Sequence, residues 1–155
     1  MHNHPQTAVL SHVVTKIDPK RDCMAHYISW LVPERILQIE VQGSVTLDQI
    51  TELNAAVSNY IQPAQAPVHL IIKSRDLQIN QLSIRAVQER ITLLRNPRMG
   101  WIIFALDHPF VRFFATAVTQ FARFEQVRFV SSVEVATSLL NTLDPSLQST
   151  LVGVA

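Results

Sequence analysis

Apolar positions along the chain keep two rhythms that take turns: short runs that alternate or are unbroken, and longer stripes at three- and four-residue spacing. The first β-prone runs cover residues 27–32 and 36–41. Pro33-Glu34-Arg35 splits them, as a turn between antiparallel or diverging strands. In the second run Ile36, Gln38 and Glu40 alternate with Leu37, Ile39 and Val41, the pattern of a strand with one face less buried, and Gly43 ends it. Thr46 opens a helix with a capping box, since Gln49 stands three residues on. Ile50, Leu53, Val57, Tyr60 and Ile61 share its inward face until Pro63 and Pro67 stop it. Residues 68–73, VHLIIK, show no alternation and predict a central strand covered on both sides.

A loop over 74–82 leads to Ser83, the N-cap of a helix that runs through Arg95 and buries Ile84, Val87, Ile91 and Leu94. Asn96-Pro97 ends it. Residues 101–130 are the most strongly patterned part: strand WIIFAL, a turn in which Asp107 or His108 caps and Pro109 sits in the first helical turn, a helix, and a strand over 127–130. Phe110, Phe113, Phe114, Ala117, Val118 and Phe121 form the stripe of that helix. Ser131 with Glu134 makes a further capping box, and Ala136, Leu139, Leu140 and Leu143 face inward until Asp144-Pro145. The order is ββαβαβαβα, an α/β chain with a single mixed five-stranded sheet and four helices, its crossovers right-handed. Residues 1–24 read as an N-terminal extension in which 8–14 can form a short strand, 25–143 as the α/β domain, and 144–155 as a C-terminal tail.

Composition narrows this picture. With 155 residues, 48% of them apolar and 16% charged, the chain is one globular domain with a sizeable core. A net charge of +1 with scattered signs gives no footprint for nucleic acid or an anionic membrane. The lone Cys23 excludes an internal disulfide framework, fits a reducing compartment and reads as an unreactive thiol. No signal peptide is legible at the start, and WIIFAL is too short to span a bilayer. The expectation is a soluble cytoplasmic protein without membrane insertion.

Candidate chemistry is sparse. Gly43, Gly100 and Gly153 lie far apart, which removes phosphate-cradling loops, and no cofactor is expected. The six histidines lack the spacing that places two on one helix face, so no metal site is expected, and His69 reads as a satisfied core histidine. Burying Phe110, Phe113, Phe114 and Phe121 at about 1.5–3 kcal/mol each gives on the order of 6–12 kcal/mol, comparable with the net stability of a domain. Core packing thus accounts for the stripe, and the wall of an apolar-ligand pocket is the alternative. The carboxyl ends of the strands gather Arg75, Asp76, Ser83, Asp107 and His108, which can receive an anion or another protein, or serve as caps and solvated loop. Catalysis at Asp107-His108 beside Ser83 requires these groups to converge on one cleft; the reading is of a protein that is not an enzyme.

The stretches RILQIEVQGSVTLDQITELN (35–54), PVHLIIKSRDL (67–77) and residues 101–140 resemble the STAS domain of sulfate-transporter tails and anti-sigma-factor antagonists. More closely they resemble the bacterial STAS-like proteins placed beside the CRAL-TRIO lipid-transfer domain. The resemblance covers about residues 27–143. It implies a mixed sheet, a homodimer, and a non-enzymatic regulatory or scaffolding role through protein–protein contacts, or binding of a lipid or other small apolar ligand. Antagonist members are switched by phosphorylation of a serine in an Asp-Ser-Gly context. Here that place reads Asn80-Gln81-Leu82-Ser83-Ile84, with Gln81 or Leu82 at the acceptor position, so the resemblance implies a module without the phospho-switch.

Overall fold

The computed structural model describes residues 12–14, 25–79, 82–106 and 108–148. The chain is α/β around one mixed sheet. Its strands are β1 (His12–Val14), β2 (Ala25–Val32), β3 (Ile36–Val45), β4 (Val68–Ile79), β5 (Met99–Ala105) and β6 (Val127–Val130), side by side in chain order. β2 pairs antiparallel with both β1 and β3, whereas β3, β4, β5 and β6 run parallel. The five-stranded mixed sheet β2–β6 is therefore bordered by a sixth strand of three residues, inside the stretch that reads as an extension.

Among the described residues four α-helices accompany the sheet: α1 (Leu47–Ile61), α2 (Ile84–Arg90), α3 (Pro109–Phe121) and α4 (Val133–Leu143). Because each parallel strand lies one place further along in the same direction, crossovers of one hand put α1, α2 and α3 on one face. Val57 and Ile61 of α1 pack with Ile39, Leu70 and Ile102 of the sheet, and Val87 of α2 packs with Phe114 and Val118 of α3. On the other face α4 packs Ala136 and Leu140 against Ile36, Ile71 and Ile103. Leu147, fully buried in this second cluster, carries the packed unit past the end of α4. Toward β3 the α4 face turns polar, with half-buried Gln38, Glu40 and Gln42.

Two elements depart from the sequence reading. Gly43 does not end β3, and the expected loop over 74–82 is strand as far as Ile79, because β3 and β4 continue in register beyond a bulge. The bulge sets Asp76 as an extra residue between Arg75, opposite Gln42, and Leu77, opposite Gly43; Asp76 and Gly43 both take positive φ, 49° and 94°. One inserted residue reverses the alternation, so Leu77 and Ile79 rejoin the face of Leu70 and Ile72. The expected helix through Arg95 stops at Arg90 and a 3₁₀ turn, Leu93–Arg95, follows. Asn54 of α1 causes the break: its Oδ1 accepts from the Leu93 N–H (3.1 Å) and its Nδ2 donates to the Thr92 hydroxyl (3.0 Å). Leu93, rather than Leu94, is the buried residue of that turn.

The caps follow the same logic with one shift. Thr46 and Gln49 form the expected capping box. At α4 the N-cap is Ser132, whose extended backbone lets its hydroxyl accept from the Val135 N–H (3.2 Å), so the expected Ser131–Glu134 box does not form.

Candidate functional site

α3 is built differently from its stripe. Phe114 is buried at 8% exposure, but Phe110, Phe113 and Phe121 stand 50%, 64% and 62% exposed. The buried positions are Val111, Phe114, Val118 and Thr119. Residues 111, 114 and 118 make one apolar stripe and 110, 113, 117 and 121 another, so periodicity alone cannot choose which faces the sheet. The roll is set by neighbours. The Arg112 guanidinium sits 5.1 Å over the ring of Phe129 in β6, which stacks at 5.1 Å on Phe104 of β5. His108, with Nδ1 accepting from the Val111 N–H (3.3 Å), caps the helix. The four-phenylalanine core expected from sequence is thus corrected to one buried phenylalanine and three on the outside.

Under α3 the packing is incomplete. A partly open cavity of about 190 Å³ lies between the sheet and α1, α2 and α3, its wall almost wholly apolar. Of the phenylalanines expected to form such a wall, Phe114 does; Phe104 joins it from β5, while Phe110, Phe113 and Phe121 do not line it. Leu77 and Ile79 reach the cavity through the bulge, a contribution that alternation hides because it breaks there.

The five residues assigned to the carboxyl ends of the strands do not assemble. Ser83 caps α2 by accepting from the Ala86 N–H (3.2 Å), and His108 caps α3. By alternation Arg75 falls on the α4 face of β4, opposite the helices these residues cap. Asp76 is the exposed residue of the bulge, and Asp107 lies outside the described residues. Among the described residues, no hydrogen bond or ion pair joins Arg75, Asp76, Ser83 and His108 to one another. The geometric basis for that edge also lapses: a crevice forms where strand order reverses, and here the order never reverses. On the α4 face the same edge holds a recess of about 300 Å³ between Lys73, Ser74 and the start of α4 at Ser131, Ser132 and Glu134.

The densest polar constellation lies at the opposite edge. The turn after β2 brings round Arg35, whose Nη2 donates to Asp144 Oδ2 (2.8 Å) and to the Ser146 hydroxyl (3.1 Å). His69, 2% exposed, contacts the same Oδ2 through Nε2 (2.7 Å) and accepts the Trp101 N–H at Nδ1 (2.9 Å). The backbone donor at Nδ1 fixes the neutral tautomer with its proton on Nε2. Burial pushes the His69 imidazole below its ordinary value, with Asp144 opposing and the Arg35 charge reinforcing the shift. Burial acts to raise the Asp144 carboxyl, but hydrogen bonds from Ser146 and His69 outweigh it and hold the group below the usual range. Serine, histidine and aspartate are all present, yet Asp144 stands between the other two: the Ser146 hydroxyl donates to Asp144 Oδ1 (2.6 Å), not to the imidazole. Both imidazole nitrogens are committed, Nε2 to Asp144 and Nδ1 to the Trp101 N–H. The cluster ties the end of α4 to the sheet. His69 is the satisfied core histidine the strand pattern predicts; its partners, 32 and 75 residues away, left no local signal.

Among the described residues no group of three or more His, Cys, Asp or Glu is arranged to hold a metal, and no helix is long and apolar enough to cross a membrane. Comparison of the chain with protein-family models, with curated proteins and with solved structures finds no match.

Proposed function

We propose that this chain is a non-enzymatic regulatory or scaffolding module of the STAS-like kind, acting through protein–protein contacts and first through self-association across the outer face of α3. The observation that carries this reading is the row Phe110, Phe113 and Phe121 left in solvent by a helix whose other side buries Val111, Phe114 and Val118. Three phenylalanines at these exposures present about 300–400 Å² of aromatic surface, the size of the patches that mark contact sites on soluble proteins. A two-fold contact uses such a patch twice, and with its rim reaches the roughly 1,000 Å² a specific interface needs. The row, including Ala117, carries no charge, so meeting its own copy brings no like-charge penalty. Ser83 serves as a cap in this reading, and a cytoplasmic setting agrees with the single cysteine.

Light scattering over a rising series of protein concentrations tests the reading. The expected outcome is a mass moving from one chain to two. Phe113→Asp should weaken association more than tenfold while leaving the helical circular dichroism unchanged, because its side chain lies outside the core. A single-chain mass throughout the series would sink the proposal.

A further inference from the structure

The cavity beneath α3 rests on packing rather than on the exposed row, and it points to a second property. We infer that it is a binding site for a small hydrocarbon group, one or two rings or a short alkyl chain, carrying no polar atom inside the protein. Size sets the first limit. A dry cavity of about 150 Å³ accepts benzene, and this one measures about 190 Å³. A long acyl chain exceeds it. The lining sets the chemistry. Its two polar side chains, Asn54 and Thr119, are engaged with the protein: Asn54 with Leu93 and Thr92, and Thr119 by donating to the Ala115 and Thr116 carbonyls at 3.0 and 2.9 Å. A ligand hydroxyl or carboxylate placed here faces an almost wholly apolar wall and loses its hydrogen bonds to water.

The void also has a structural origin that a packing accident lacks. α2 has seven residues, about 10 Å of helix, and ends where Asn54 captures Leu93. Its inward residue Val87 and the neighbouring Ala115 of α3 line the cavity together with the sheet residues Leu70, Ile72 and Ile102. The bulge in β4 then supplies Leu77 and Ile79 to that wall in place of polar residues.

Toluene, with phenol as its polar counterpart, tests the site in the full chain. Toluene at ten times its Kd should raise Tm by about 3–5 °C. In methyl NMR it should shift Leu70, Ile72 and Ile102 while leaving Ile71 and Leu140, on the other face of the sheet, unmoved. Phenol should bind at least tenfold more weakly. Ala115→Leu, which fills the space, should abolish both toluene effects; should that variant fold poorly, Val87→Phe serves the same purpose, and the methyl shifts stand without either. No Tm change with toluene, equal shifts on both faces of the sheet, or phenol binding as tightly as toluene would each overturn the assignment. Because none of these readings depends on chain mass, their failure is distinct from failure of the proposed self-association.

Discussion

Both ring nitrogens of His69 are committed, and Gly100 makes that possible. The imidazole lies so close over the backbone of β5 that a Cβ at position 100 would meet its Cε1 at 2.7 Å. Real Cβ atoms do not approach that closely, and the neighbour is a ring held at both nitrogens. Gly100→Ala should therefore displace His69, strand the Trp101 N–H, and cost about 2–4 kcal/mol by urea denaturation. The same residue sets the acid response. Its folded-state pKa lies below the ordinary imidazole value of about 6.5, so below that pH the unfolded chain binds a proton that the folded chain refuses. Stability is fullest above this value, declines as pH falls toward the lower folded pKa, and levels off beneath it. His26, also pushed down by burial, adds in the same direction. Asp144 adds a later loss, present above the ordinary carboxylate range and disappearing as pH drops through its depressed value. Urea midpoints should fall between pH 7.5 and 5.5, and His69→Asn should flatten part of that slope. Midpoints that rise on acidification would contradict the tautomer assigned here.

Elements are held by partners distant in sequence as much as by their own pattern. Asn54 ends α2 from across the helix pair, so Asn54→Ala should leave the half-buried N–H of Leu93 unpaired and destabilise the chain by about 1–3 kcal/mol in the same urea assay. A loss within about 0.5 kcal/mol, the range of an ordinary surface change, would show that the break has another cause. This pair marks where the sequence stops being readable. The α1 capping box, the apolar β4 core and the strand–helix–strand unit over 101–130 depend on contacts within a few residues, and they are legible. The length of α2, the extension of β4 past Lys73 and the roll of α3 depend on Asn54, on a bulge opposite Gly43 and on Arg112 over Phe129. None of these has a local signature. The candidate site suffered most, because α3 is apolar on two sides and the choice between them is made by β6.

At the scale of the whole molecule, constant-direction winding stacks three helices on one face of the sheet and leaves α4 to cover part of the other. The crowded face is nonetheless the looser one. A partly open cavity of about 190 Å³ lies within it. α3 is the wall between that space and the exposed aromatic row, with Phe114 turned inward and Phe110, Phe113 and Phe121 outward. Fluorine NMR of the chain with its seven phenylalanines fluorinated reads both sides at once. As protein concentration rises, the resonances of Phe110, Phe113 and Phe121 should shift or broaden together while that of Phe114 holds still. Spectra independent of concentration at all three outer positions would contradict the assignment of α3 as the surface through which this protein meets its copy.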